Sequence, residues 1–136
     1  KLRLGYPDAD EETAMLGEVV GNHPIADLEP VATLADLRAA REAVADVTVE
    51  EPIRAYATRL ANYTREHARL GVSPRGSISL LRAAQARAVL DGRRYVVPDD
   101  VQREAPVVLP HRIRTDSSDQ TPDELVAAAL SSVAVE

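Results

Sequence analysis

The sequence contains no cysteine, no phenylalanine and no tryptophan, and only one methionine. The first absence removes disulfides, zinc–thiolate centres and thiol nucleophiles together. The missing rings leave a core to be built from Leu, Val, Ile and Ala, a mixture that favours close-packed helices over a β-sandwich. Long hydrophobic runs are missing too. Stretches such as residues 126–130 fall far below the roughly 20 residues that cross a bilayer. The opening Lys1-Leu2-Arg3-Leu4-Gly5-Tyr6-Pro7 has no signal-peptide apolar region. A cytoplasmic chain without membrane insertion is expected. Lysine occurs only at Lys1, so the positive charge is almost all arginine. Arginine reads carboxylates and phosphates bidentately, although high-GC codon usage produces the same bias.

What is present suffices for one domain. The 136 residues are 45% hydrophobic and 28% charged, a balance able to bury a core. The net charge of −6 argues against a nucleic-acid module, including a helix-turn-helix, because phosphate contacts need a basic face. The chain starts without Met on a strand-like stub, the expectation for a piece of a longer protein.

Caps and periodicity predict an all-α bundle of about five to six helices with at most a minimal two-stranded β contact. Asp8 with Glu11 forms a capping-box pattern ahead of Ala14, Met15, Leu16, Val19 and Val20, and Gly21 and Asn22 provide the stop. Residues 23–33 carry Pro24 and Pro30 and no periodicity, a loop whose Ile25, Leu28 and Val31 are expected to tuck under the bundle. Thr33 with Asp36 caps a second helix that turns Leu34, Leu37, Ala40 and Val44 inward. Glu50, Glu51 and Pro52 open a third, with Ile53, Tyr56, Leu60 and Tyr63 as its buried stripe and Leu70-Gly71 as its close. Ser73-Pro74 opens a fourth running to about Gly92, apolar or Ala on most of its circumference through Ile78, Leu80, Leu81, Ala84, Ala88 and Val89. That helix is expected in the middle of the bundle.

Two short extended segments, Val47-Thr48-Val49 and Tyr95-Val96-Val97, are expected to pair. Pro98-Asp99-Asp100 starts a fifth helix, which Pro106 kinks or restarts before it continues to His111. Thr121-Pro122-Asp123-Glu124 caps a terminal helix with Leu125, Val126, Leu130 and Val133. The organisation that follows is a stub at 1–7, a helical domain at 8–113, a linker at 114–120 and a C-terminal helix at 121–136.

Most catalytic constellations are missing. His23, His67 and His111 lie on different elements with no ligand spacing, so no metal site is expected. The acid pairs Asp8/Asp10, Glu50/Glu51 and Asp99/Asp100 all fall at helix starts, where caps and the macrodipole account for them. Gly71-Val72-Ser73-Pro74-Arg75-Gly76 has the glycine spacing of a phosphate loop, yet Ser77-Ile78 follows where Lys and Ser/Thr belong, and Pro74 removes a backbone donor. Arg75 itself stands out. A cation in the first turn of a helix is disfavoured by about 0.3–1 kcal/mol, unless an anion drawn to the helix-start amides completes the corner. Arg75, Ser79 and Arg82 then share one polar stripe of the fourth helix.

The ordered blocks Leu4-Gly5-Tyr6-Pro7-Asp8, His23-Pro24, Leu28-Glu29-Pro30-Val31, Gly71-Val72-Ser73-Pro74-Arg75, Tyr95-Val96-Val97-Pro98-Asp99-Asp100-Val101 and Leu109-Pro110-His111-Arg112-Ile113 resemble the C-terminal lid of the MoxR family of AAA+ ATPases. The likeness spans nearly the whole chain. It implies an AAA+ lid-type helical bundle that follows a P-loop core, with residues 1–7 as a hinge stub from that core. It also implies chaperone-like remodelling or maturation of partners, among them proteins with von Willebrand factor A domains. Arg75 would be the sensor-2 arginine contacting the γ-phosphate, in cis or in trans, and Tyr6 and Pro7 would lie near the adenine. ATP with Mg would be bound by the parent and no cofactor by this piece alone; the partners implied are its own core and neighbouring subunits of a hexamer. Family members usually carry Ala where Gly76 stands, which predicts a looser helix start here, by about 1 kcal/mol of propensity. No Walker A, Walker B or sensor-1 element is present, so hydrolysis would belong to the parent. The alternative reading is a free-standing helical interaction module without nucleotide dependence.

Overall fold

The computed structural model describes residues 4–20, 24–116 and 120–135. Gly21, Asn22 and His23, expected at the end of the first helix and the start of the loop, lie outside the described residues, as do residues 117–119 of the linker. The described residues form six α-helices and two 3-10 turns: α1 (Ala9–Val19), α2 (Leu34–Ala45), α3 (Glu51–His67), α4 (Pro74–Leu90), α5 (Pro98–Val108) and α6 (Pro122–Ser132), with 3-10 turns at Pro24–Asp27 and Pro110–Arg112. The fold is all-α. Compactness divides the chain inside α2, the residues up to Arg38 forming one unit and those from Ala39 another.

The first unit is built from local caps. The Asp8 carboxylate accepts the N–H groups of Asp10 and Glu11 at 3.0 and 2.9 Å, and Glu11 accepts the Asp8 N–H at 3.1 Å. Thr33 and Asp36 reciprocate in the same way at the head of α2, as their spacing predicts. Burial does not follow the prediction. Ile25, Leu28, Val31, Leu34 and Leu37 are all exposed, and α1 buries no residue. Apolar periodicity marks a face that can be covered, but it carries no information about the surface that covers it.

The second unit holds the core. Tyr56 and Leu60 of α3, Leu80 of α4, Val101 of α5, Leu109, and Leu125 and Val126 of α6 are fully buried. Each such side chain contributes about 1.5–3 kcal/mol by leaving water. Alanines at 84, 88 and 105, all completely buried, bring α4 and α5 close together. Both α3 and α5 pack against the other three helices, whereas α4 packs chiefly on α5 and then on α3. The expectation that α4 occupies the middle is therefore corrected, and Ile78 on its outer side is exposed. Its many alanines make α4 look apolar all round, but alanine is at ease on a surface.

Two isolated bridges tie the loops. Thr48 pairs in parallel with Tyr95, donating to the Arg94 carbonyl at 2.9 Å and accepting from Val96 at 3.0 Å, the expected contact between the extended segments. A second bridge, Leu70 with Arg114, was not expected; each N–H donates to the other's carbonyl, at 3.0 and 2.9 Å. Leu70-Gly71 therefore does not close α3, which ends at His67, because residue 70 is drawn out into this pairing. Pro106 lies inside α5 without ending it, and the helix stops two residues later, giving way to the 3-10 turn Pro110–Arg112 rather than continuing to His111.

Candidate functional site

The corner around the start of α4 is assembled from three separated stretches. Thr64, fully buried on α3, donates its hydroxyl to the Ala61 carbonyl at 2.7 Å and accepts the Val72 N–H at 3.0 Å. Arg65 Nε donates to the Val72 carbonyl at 2.8 Å, so both backbone groups of Val72 are held by side chains of α3. Gly71 permits this: a Cβ there would come within 2.7 Å of the Thr64 carbonyl carbon, and no side chain fits. The loop that leads into α4 is thereby clamped to the end of α3.

Ser73 then caps α4. Its hydroxyl accepts the Gly76 N–H at 3.3 Å, while its carbonyl accepts Gly76 at 2.8 Å and Ser77 at 3.2 Å. With Pro74 lacking an N–H, most donors of the first turn are occupied by Ser73. The anion-attracting capacity of this corner accordingly rests on side-chain charge more than on free amides. Gly76 is buried, and a Cβ there would meet Val72 Cγ1 at 2.7 Å and Arg112 Cδ at 3.4 Å. A side chain at this position would require Val72 to shift, so Gly76 also packs closely on the loop that enters α4.

The side chain of Arg75 emerges from this clamped turn exposed to solvent, with no hydrogen bond or ion pair to any described residue. Ser79, one turn on, donates its hydroxyl to the Arg75 carbonyl at 2.9 Å, and Arg82 continues the stripe, exposed. Tyr6 and Pro7, the other expected binding residues, are exposed in the first unit, next to Gly5 at φ +74°.

Two features of the second unit escaped the sequence reading. Asp100, assigned there to a helix start, is buried and accepts both arms of the Arg93 guanidinium at 2.8 and 2.7 Å as well as the Val97 N–H at 2.9 Å. Burial pushes the Asp100 carboxyl up, but the Arg93 fork and the Val97 amide outweigh it and hold the pKa below the usual carboxylate range. The same hydrogen bonds, against some desolvation, raise Arg93 above the ordinary guanidinium value. Arg112 is the other feature, half-buried between Pro110 and Ile113 with Nε donating to the Val108 carbonyl at 3.1 Å. A seven-residue separation and a lone Arg in a Pro-His-Arg turn gave no periodic signal for either. Among the described residues no group of three His, Asp or Glu side chains could hold a metal, and no helix is long and apolar enough to cross a membrane.

Fold and site together define a helical lid-type bundle that offers, at the head of a capped helix, an arginine unpaired among the described residues. A family model described as the AAA lid domain matches residues 60–130, just over half of the chain. Bacillus subtilis YeaC, a protein of uncharacterized function, is 46% identical over 115 residues, covering 83% of this chain and 36% of YeaC. Mycobacterium tuberculosis Chaperone MoxR1 is 31% identical over 124 residues, covering 83% of this chain and 32% of its own. A solved Cytophaga hutchinsonii structure, assigned there as a candidate ATPase, superposes with a TM-score of 0.84 at 24% identity over 98% of this chain and 45% of that one, a likeness of fold. The chain belongs to the AAA lid domain family, in its MoxR branch. It spans about a third of the length of the curated relatives named here.

Proposed function

We propose that this chain is the lid that closes over ATP bound by the nucleotide-binding core of a MoxR-type AAA+ ATPase, with Arg75 as the sensor-2 arginine. The observation that carries this reading is Arg75 itself, exposed and without a side-chain partner among the described residues, on a turn whose backbone is clamped from Thr64, Arg65 and Ser73. An exposed side chain on a clamped turn suits a contact made in one nucleotide state and lost in another, which biases the lid angle between ATP and ADP forms. Mg-ATP is the cofactor of the parent, Tyr6 and Pro7 flank the adenine, and residues 1–7 serve as hinge. The relative named a chaperone supports a remodelling or maturation role exerted on protein partners in the cytoplasm, von Willebrand factor A domain proteins among them. Assembly with neighbouring subunits into a hexamer follows from the same family reading.

The test is ATP turnover by the full-length protein. Arg75→Ala should lower turnover strongly with the assembly intact; unchanged turnover in an intact assembly would sink the reading. A second reading, a nucleotide-independent docking module, draws on the exposed Leu16, Ile25, Leu28, Val31 and Leu37 of the first unit. Binding of a partner protein that is identical with and without nucleotide, and indifferent to Arg75→Ala, would favour it.

A further inference from the structure

The C-terminal half of α2 does not pack closely on α4, and an open cleft of about 500 Å³ is lined by residues of both helices. It lies wholly in the second unit. Ala40, Val44, Ala45 and Ala86 give it an apolar surface of small side chains, and each helix adds one arginine, Arg41 from α2 and Arg82 from α4. Gln85, also in the lining, donates its amide to the Val47 carbonyl at 2.8 Å and so fixes the segment after α2 to α4 beside the cleft. No Asp or Glu lines it, although acids outnumber bases by 22 to 16 in the chain. Arg41 and Arg82 are exposed, and neither side chain has a hydrogen bond or ion pair to a described residue. Other arginines of the same unit are met by carboxylates, Arg87 by Glu104 and Arg93 by Asp100.

We propose that the cleft between α2 and α4 docks an acidic segment of another protein, with Arg41 and Arg82 pairing its carboxylates and the alanines and Val44 covering an apolar side chain between them. Two guanidiniums on one cleft with no internal carboxylate are complementary to a ligand that brings its own, and the planar fork of arginine takes a carboxylate bidentately. The apolar lining favours a peptide over a bare anion, because a small inorganic ion would leave Val44 and the alanines uncovered. The site is separate from Arg75 and from nucleotide, so it stands or falls independently of the lid reading. Because both arginines are exposed, each pairing is weak by itself and screened by salt, and the docking is of the transient kind.

The experiment is fluorescence anisotropy of a short labelled peptide of alternating glutamate and leucine, titrated with the full-length protein at low salt, beside the same peptide with lysine for glutamate. The glutamate peptide should bind and the lysine peptide should not. Arg41→Ala and Arg82→Ala should each weaken binding about fivefold, Arg82→Glu more strongly, and added salt should weaken it further. Both side chains are exposed and unpaired among the described residues, so these variants keep the fold. Arg103→Ala, an exposed arginine of α5 outside the cleft, controls for the mere loss of a charge and should leave binding unchanged. Absence of binding, or equal weakening by Arg103→Ala, would overturn the proposal. Displacement of the peptide by inorganic phosphate, at an ionic strength matched with chloride, would reassign the arginine pair to a small anion. Dissociation of the full-length assembly by Arg82→Glu, seen by sedimentation, would give the cleft to a second copy of this chain and overturn the assignment to another protein.

Discussion

Gly71 lies so close to Arg65 that a methyl group on it would penetrate the backbone of α3, reaching 2.5 Å from the Arg65 nitrogen. Nothing flexible stands in the way, so the clash cannot be relieved by a rotamer change. Gly71→Ala is expected to cost more than about 3 kcal/mol, in the range reserved for overpacking at a backbone contact. Gly92, at φ +73° with open space around it, should lose only about 1–2 kcal/mol on the same change. Urea midpoints of the two variants, measured side by side, check the contrast.

Thr64 supplies the polar half of the same clamp. Thr64→Val keeps the shape but leaves the Val72 N–H without its acceptor, an expected loss of about 1–3 kcal/mol. Thr64→Ser, which keeps the hydroxyl, should recover most of it. Faster hydrogen exchange at the Val72 amide in the valine variant alone would register the broken bond.

Acid should loosen the protein through its lowered carboxyls. Asp100 is held below the usual range by the Arg93 fork against its own burial, and Glu124 and Asp36 by hydrogen bonds from Thr121 and Thr33. A carboxyl with a depressed folded pKa stabilises fully above its unfolded value, about 4, and loses that contribution as pH falls through the folded value. Stability should therefore be flat at neutral pH and decline below about pH 4. Asp100→Asn should lower the melting temperature at pH 7, with the gap to wild type narrowing as the pH is taken down. A gap that stays constant with pH would contradict the pairing.

Arg75 should prove dispensable for folding. Its side chain is exposed and makes no hydrogen bond or ion pair to a described residue, so Arg75→Ala is expected to change stability by no more than about 0.5 kcal/mol. Leu80, one and a half turns along α4 and fully buried, should lose about 2–5 kcal/mol as Ala. Exposed Ile78, between them in sequence, should tolerate Ser with little change. Thermal melts of the three variants separate the outward face of α4 from the inward one.

Helix beginnings were legible because each is a local event. Asp8 with Glu11, Thr33 with Asp36 and Thr121 with Glu124 satisfy the first free N–H groups within three residues and stand where their spacing put them, and Ser73 caps α4 by accepting the Gly76 N–H. The buried stripe of α3 was legible for a similar reason: Ile53, Tyr56 and Leu60 recur at helical spacing and all are buried, with Tyr63 half-buried and stacked on His67 at 4.1 Å between ring centres. Arg75 was legible as an odd cation at a helix start.

Local chemistry in the sequence thus determined an all-α chain, the heads of its helices and the one arginine to watch. Tertiary structure alone decided which apolar faces are covered, that α3 stops at His67 so that Leu70 can pair with Arg114, that Arg93 reaches Asp100, and that Arg112 is anchored on the Val108 carbonyl. The division has a physical cause. A cap is completed by groups a few residues apart, whereas burial and the pairing of a loop depend on surfaces that arrive from 40 residues or more away, as Arg114 does at Leu70, and no pattern within one helix can specify them.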